Sequence, residues 1–145
     1  MELIAIDTRS DYDLCREQGF EPLLDQRFAM DHNLRVSVQR DLFGTGHTPE
    51  ENEKFYRWCW RHLPHVCSEC MKPLKEYSAV YVSHNLTRGA YPEMAHDPRN
   101  VTILCFEHHN QYEHRPTRER MRIFASTEYR NEQLLQEYQC QTTKR

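Results

Sequence analysis

Two pairs of metal-ligating residues, separated by 34 residues, restrict what this chain can fold into more than any other feature. The first pair is Cys67-Ser68-Glu69-Cys70, and the second is Cys105-Phe106-Glu107-His108. Structural zinc takes four tetrahedral ligands, typically two from each of two tight turns. One CxxC pair alone could be a redox pair. Two matched pairs instead predict a structural zinc ion bound by Cys67, Cys70, Cys105 and His108.

Other cysteines and histidines offer weaker alternatives. His62 and His65 lie close to Cys67 in the sequence and could replace a ligand, although their spacing fits less well. A simpler hypothesis, in which the cysteines are buried thiols, must treat the paired spacing as chance. The remaining cysteines have no partner pattern and are predicted to be free thiols: Cys15, Cys59 and Cys140.

Composition supports a small domain that needs such a metal ion. The chain has 145 residues, of which 38% are apolar and 28% charged, so one modest core is expected. The formal net charge is -3, whereas proteins that hold nucleic acid by charge alone are usually basic. The chain therefore either does not bind nucleic acid, or binds it locally and uses a metal ion to face phosphate.

No stretch resembles a membrane span or a signal peptide. We therefore expect a cytoplasmic protein with no membrane partner. Cysteine pairs in that compartment are more often metal ligands than disulfides.

Helix and strand signals surround the two pairs. The first 46 residues give weak signals, with a strand predicted at 2–6 and a helix within 21–43. Thr48, Pro49 and Glu51 form a helix start with a capping box, and Pro64 ends that helix after Leu63. An apolar stripe on this helix is interpreted as core packing: Phe55, Trp58, Cys59 and His62.

The second half of the chain predicts two strands and two helices. Strands are expected at 75–84 and 100–105, joined by a loop at 85–99, with a helix beginning near Phe106. A last helix is predicted from Arg118 to Tyr138, capped by Thr117. The chain then divides into an N-terminal segment of unknown role at 1–46, a core at 47–116 and a C-terminal helix at 117–145. This is an α+β organisation.

Residues 67–113, about a third of the chain, resemble the HNH endonucleases of phages and bacteria. After the CxxC pair come a strand ending in Ser83-His84, a loop to Asn100, and Leu104-Cys105-x-x-His108-His109. The three name-giving positions map to His84, Asn100 and His109. The resemblance implies a zinc-stabilised ββα-metal core (HNH, His-Me finger) flanked by helices. It also implies a metal-dependent DNA endonuclease, located in a bacterial or phage-infected cell.

The chemistry of phosphodiester hydrolysis agrees with this resemblance, since it needs a base to activate water and a cation beside the phosphate. His84 is the predicted base, and Asn100 either bonds its imidazole or fixes the loop. His109 and Glu113 are four residues apart on one helix face and suit a divalent ion such as Mg²⁺ or Mn²⁺. Ser83 departs from the family pattern, because many members have Asp or His there as a further ligand. Either Glu113 replaces the ligand missing at Ser83, or water completes the coordination shell of the divalent ion, or the ion binds weakly.

Arginines beyond the motif suggest a nucleic-acid contact, and Arg115, Arg118 and Arg122 are predicted to bind the phosphate backbone. One active site per chain implies nicking, unless a homodimer cuts both strands. The alternative function is a zinc-ribbon module that binds nucleic acid or protein without cutting, which Ser83 favours. A third hypothesis, a zinc-stabilised scaffold, leaves the arginines as merely solvated charge.

Overall fold

A computed structural model describes residues 32–143 of the chain, and within them helices surround one small antiparallel sheet. The elements in chain order are α1 His32–Phe43, α2 Pro49–His62, β1 Val82–His84, β2 Val101–Ile103, α3 Phe106–Glu113, α4 Arg115–Arg118 and α5 Phe124–Thr143. This part of the chain is therefore of the α+β class. The strand predicted at 2–6, Cys15 and part of the range predicted to hold the first helix lie outside the described residues.

Helix α2 begins with the predicted capping box. The Glu51 amide donates to Thr48 Oγ1 at 3.2 Å, and the Glu51 carboxylate accepts from the Thr48 amide at 3.2 Å. The helix ends at His62 with Leu63 as its C-cap, one residue before the predicted end. Gly44 has φ +85°, and a Cβ at that position would lie 2.0 Å from Glu51 Oε2, so only glycine fits beside the box.

The strands are shorter than predicted. The prediction of a strand over 75–84 was wrong, because residues Ala79–Tyr81 form a 3₁₀ turn and β1 covers only Val82–His84. The turn starts where the Ser78 hydroxyl accepts from the Val80 amide at 3.3 Å, which competes with an extended backbone. Strand β2 is likewise limited to Val101–Ile103, with Ser83 opposite Thr102.

The C-terminal helix does not begin at Arg118, so that prediction and the Thr117 cap were wrong. The chain forms the short α4 and then breaks before α5 starts at Phe124. Glu69, between the two cysteines of the first pair, explains the break, since its carboxylate accepts from the Arg122 and Ile123 amides at 2.8 and 3.0 Å. A contact 53 residues away in sequence thus fixes this helix boundary.

One apolar core lies between α1, α2, the sheet and α3. Phe55, Cys59 and Leu104 have no exposed surface, and Phe43 packs edge-on against Phe55 at 5.1 Å between ring centroids. A smaller apolar cluster is formed by Met94 together with Leu134 and Tyr138 of α5. Three residues of the predicted α2 stripe, Phe55, Trp58 and Cys59, are therefore core, whereas His62 is only half-buried.

A buried group of charged and polar side chains, here called the Asp97 cluster, fastens α1 and α5 to the loop before β2. The Asp97 carboxylate has no exposed surface and accepts from Arg99 Nη2 at 2.7 Å and Tyr138 Oη at 2.8 Å. Arg99 also donates to both Glu137 oxygens at 3.0 and 2.8 Å, and Glu137 contacts His32 Nδ1 at 3.1 Å. Burial opposes ionisation of Asp97, but Arg99 outweighs it and lowers the pKa of this carboxyl.

His96 joins the same loop to α2. Its Nε2 donates to Asn52 Oδ1 at 2.9 Å, and its ring stacks on His47 at 4.6 Å between centroids. The residue is 5% exposed. Burial, followed by the neighbouring His47, lowers the pKa of His96 to about 4.

We therefore expect His96 to make folding stability depend on pH. Between pH 6.5 and about 4, His96 is protonated in the unfolded chain but stays neutral in the folded protein. The free energy of unfolding should fall through this interval as pH decreases, by on the order of 2 kcal/mol. Urea unfolding at pH 7 and pH 4.5 measures this.

His96→Gln is the matched control, because its amide can still donate to Asn52 but does not titrate. Its stability should decline less with acid than that of the wild type, while the contribution of metal-binding thiols is common to both proteins. Equal declines in the two proteins would assign the pH dependence to other groups.

Candidate metal centre and adjoining cleft

Cys67, Cys70, Cys105 and His108 come together in the structure, as the sequence predicted. Their ligand atoms all lie within 4.8 Å of one another. His108 Nδ1 is 3.6 Å from Cys67 Sγ and 3.2 Å from Cys105 Sγ. Zinc bond lengths place a sulfur and a nitrogen roughly 3.6 Å apart across a tetrahedral ion. This cluster could therefore hold a metal ion such as zinc.

Two local turns build the cluster. In the first, the Met71 amide donates to the Cys67 carbonyl at 2.8 Å, and Met71 adopts φ +65°. In the second, Cys105 is the N-cap of α3, so His108 follows within the first helical turn. The Ser68 amide donates to the Ile103 carbonyl at 2.9 Å, which ties the first turn to the end of β2. The metal cluster and the sheet are thus one structural unit.

The environment of Cys67 favours the metal-binding thiolate. Burial opposes the charged form, but hydrogen bonds from the backbone of Cys105, Cys70 and Glu69 outweigh burial and lower the pKa of the Cys67 thiol to about 7. The alternative ligands are engaged elsewhere: His62 donates to the Trp58 carbonyl and His65 to the Trp60 carbonyl.

An open cleft of about 660 Å³ lies beside this cluster. Its lining comes from α2, β1, the loop after β1, α3 and α4. The predicted catalytic residues His84 and His109 both line the cleft, together with Glu113. Other polar side chains also contribute: Tyr56, Ser83, Arg88 and Arg118.

His84 ends β1 with a defined orientation and tautomer. Its Nε2 is 2.8 Å from the Ala95 carbonyl oxygen, which can only accept, so Nε2 carries the proton. In the neutral ring Nδ1 then keeps a lone pair. Burial lowers the pKa of His84, and the positive charge of Arg88 and the neighbouring His109 lower it further, against the bond to Ala95. The imidazole is thus held as a neutral acceptor.

Asn100 fixes the loop, which is one of its two predicted roles. It is fully buried; its Oδ1 accepts from the Leu86 amide at 2.8 Å, and its Nδ2 donates to the Leu86 and Met94 carbonyls at 2.9 and 3.3 Å. The imidazole of His84 is bonded by Ala95, the residue after Met94, rather than by Asn100. Asn100 therefore acts on His84 through the backbone.

His109 points away from the cysteine cluster and into the cleft. Its Nδ1 donates to the Val80 carbonyl, and its Nε2 is 3.1 Å from Glu113 Oε1. Since Nδ1 carries the proton of the neutral ring, Nε2 and the carboxylate face each other with lone pairs. An ordinary helical i,i+4 contact and a shared cation both fit this arrangement.

The three predicted nucleic-acid arginines make different contacts within the protein. Arg118 lines the cleft, with Nε donating to the Tyr112 carbonyl at 2.7 Å. Arg115 instead pairs with Glu119 at 3.1 Å. Arg122 donates from its guanidinium to the backbone carbonyls of Ser68 and Glu69, next to the metal cluster.

Sequence reasoning missed two residues of the cleft. Arg88 follows His84 by four residues and is presented by the loop after β1. Tyr56 follows the core residue Phe55, and its ring contacts the His84 ring edge-on at 6.0 Å. For Arg88 the available signals were its proximity to His84 and its place in the Arg88-Gly89-Ala90 loop, which is part of the resemblance to the HNH endonucleases, although no role was predicted for it. For Tyr56 the signal was a position beside the apolar stripe of α2.

Comparisons with known proteins do not assign a family. No family model and no solved structure matches the chain. The chain is 30% identical to Maturase K of Pseudotsuga menziesii over 79 residues, which is 54% of this chain. It spans 14% of the length of that protein. Among residues 32–143, no helix is long and apolar enough to cross a membrane.

Proposed function

We propose that this chain is a metal-dependent HNH-type endonuclease that hydrolyses phosphodiester bonds in DNA. The observation that carries the proposal is the orientation of His84: one ring nitrogen is committed to Ala95, and the other remains an acceptor beside a cleft that also contains His109 and Glu113. A positioned, neutral base next to a nitrogen–carboxylate pair is what hydrolysis of a phosphodiester requires.

In this mechanism His84 Nδ1 takes the proton from the attacking water. Burial keeps the ring neutral near pH 7, and Asn100 acts as a positioning residue by fixing the backbone around Ala95. His109 and Glu113 would hold a divalent ion such as Mg²⁺ or Mn²⁺, since one nitrogen and one carboxylate oxygen suit such ions. When bound there, the ion supplies positive charge to the phosphate oxygens. Ser83 is not a strong ligand, so such an ion would need water or Glu113 to complete its shell, or would bind weakly.

The cysteine cluster has a different role in this proposal. Three thiols and one imidazole fill a tetrahedral zinc shell and leave no open position, which is typical of structural rather than catalytic zinc. Two of its ligands precede β1 in the chain and two follow β2. A zinc ion there would therefore hold the walls of the cleft together.

A non-catalytic zinc-ribbon module that binds nucleic acid or protein is the second candidate. Two observations favour it. Ser83 lies where a stronger metal ligand would be expected, and the contact between His109 and Glu113 is one that any helical i,i+4 pair can make. This candidate predicts binding without cutting.

A plasmid-nicking assay with magnesium, manganese, nickel or zinc separates the two candidates. The wild type should nick DNA, and His109→Ala should lose cutting while keeping its zinc, because the structural ligand is the adjacent His108. His108→Ala is the matched comparison and should lose zinc and folding as well. If the wild type cuts neither DNA nor RNA with any of these ions, the binding module replaces the enzyme.

A further inference from the structure

The cleft is more positive than the chain that contains it. The whole chain has a formal net charge of -3. The cleft, by contrast, is lined by two arginines, Arg88 and Arg118, and two histidines, with Glu113 as its carboxylate. A local cationic surface in an acidic protein favours an anionic ligand at this place.

Arg88 is an exposed side chain on a well-fixed backbone. It lies in a turn in which the Tyr91 amide donates to the Thr87 carbonyl at 2.9 Å and the Ala90 amide to Thr87 Oγ1 at 3.3 Å. The base of the turn is held at Leu86, whose amide and carbonyl are both bonded by Asn100. The guanidinium is therefore presented to the cleft without the chain having to order.

The other cleft arginine is already committed within the protein. Arg118 donates Nε to Tyr112 and lies over the Tyr112 ring at 4.5 Å. Arg88, in contrast, makes no hydrogen bond or ion pair with another residue of the range 32–143. Its charge is nevertheless close enough to act on two neighbours: burial lowers the pKa of His84 and Arg88 adds to that shift, whereas burial raises the pKa of Tyr56 and Arg88 opposes part of the rise. A cation without a partner in this range, next to the proposed base, is available for a ligand.

We propose that Arg88 is the phosphate-binding residue of the cleft and that its guanidinium bonds the non-bridging oxygens of a DNA phosphate next to His84. The inference deepens the proposed function and rests on it. A planar guanidinium suits this ligand because two parallel N–H groups match two phosphate oxygens. Asn100 then serves two purposes, since it fixes both the backbone that orients His84 and the turn that presents Arg88.

The test measures DNA binding as a function of salt in a His84→Gln background, so that cutting is too slow to interfere. The probe is a short DNA duplex, and the added substitutions are Arg88→Ala, Arg88→Lys and Arg61→Ala. Arg61 is exposed on the last turn of α2 and does not line the cleft, so its replacement removes the same charge elsewhere. Arg88→Ala should bind about tenfold more weakly, and its salt slope should fall by about 0.9.

The two other variants define what Arg88 contributes. Arg88→Lys should restore the salt slope but not the full affinity, since an ammonium cannot bond two oxygens in one plane. Arg61→Ala should keep the slope of the parent. In the His84-containing protein, Arg88→Ala should lower kcat/KM for cutting with zinc content and melting unchanged.

The outcomes separate this inference from the proposed function. If the wild type cuts DNA but Arg88→Ala binds and cuts like Arg61→Ala, the Arg88 inference fails alone. If the wild type binds without cutting and the slope still falls in Arg88→Ala, the phosphate contact stands and the endonuclease fails. If no protein of the series binds DNA, both are wrong.

Discussion

Replacing Cys67 by alanine is expected to release the metal ion and to unfold the chain between about residues 65 and 115. Cys67 has no exposed surface, and its thiol is one of four ligand atoms within 4.8 Å of one another. Structural zinc contributes ~10–16 kcal/mol of apparent folding free energy, whereas whole domains of this size have a net stability of ~5–15 kcal/mol. Metal analysis and urea unfolding, both on protein purified without added metal, measure the two losses.

Cys59→Ala is the control for this experiment. Cys59 is also a buried cysteine, but it packs in the apolar core on α2, and burial raises the pKa of its thiol well above the ordinary value. Its replacement should keep the metal and cost only about 1 kcal/mol. A wild-type chain that is folded and metal-free, or a Cys67→Ala protein as stable as Cys59→Ala, would overturn the prediction.

Replacing His84 by glutamine should reduce DNA cutting by ~10²–10⁴-fold, the usual contribution of a positioned base. The glutamine amide can still donate to the Ala95 carbonyl, as Nε2 of His84 does at 2.8 Å, but it has no basic nitrogen. Zinc content, melting temperature and DNA binding should stay near those of the wild type. His84→Ala should lose as much activity, with an additional loss of stability, because the ring stacks on Phe55 at 6.0 Å between centroids.

The pH profile gives an independent measure of the same role. The base must be neutral to accept a proton, so cutting should fall as pH drops through the pKa of His84 and level off above it. Burial lowers that pKa below 6.5, so the decrease in cutting on the acidic side of the profile should occur below pH 6.5. If His84→Gln cuts DNA as fast as the wild type, His84 is not the base.

Features set by local sequence could be predicted, because their physical causes lie within a few residues. The two ligand pairs need only the short spacing of a turn, and the cap of α2 needs only Thr48, Pro49 and Glu51. Both are present in the structure. The presence of a strand on each side of the loop was predicted in the same way, from local patterns of apolar residues.

Features set by distant contacts could not be predicted. The break between α4 and α5 depends on the Glu69 carboxylate, far earlier in the chain, and α5 therefore starts later than its apolar pattern indicates. Arg122 and Arg88 look equivalent in the sequence, yet one bonds the backbone beside the metal cluster and the other lines the cleft. The sequence likewise could not show whether Asn100 bonds the imidazole of His84 or fixes the loop, because the answer depends on the path of the loop.

Because of the Asp97 cluster, residues 67–113 depend on contacts with helices that lie outside this segment. The loop that orients His84 carries Asp97 and Arg99, whose partners Glu137 and Tyr138 lie on α5 and whose neighbour His32 lies on α1. A graft of residues 67–113 into another scaffold would keep the Asp97–Arg99 pair, but it would leave the buried Asp97 carboxylate without Tyr138 and the Arg99 guanidinium without Glu137. Transplanting the cleft therefore requires both outer helices to travel with it.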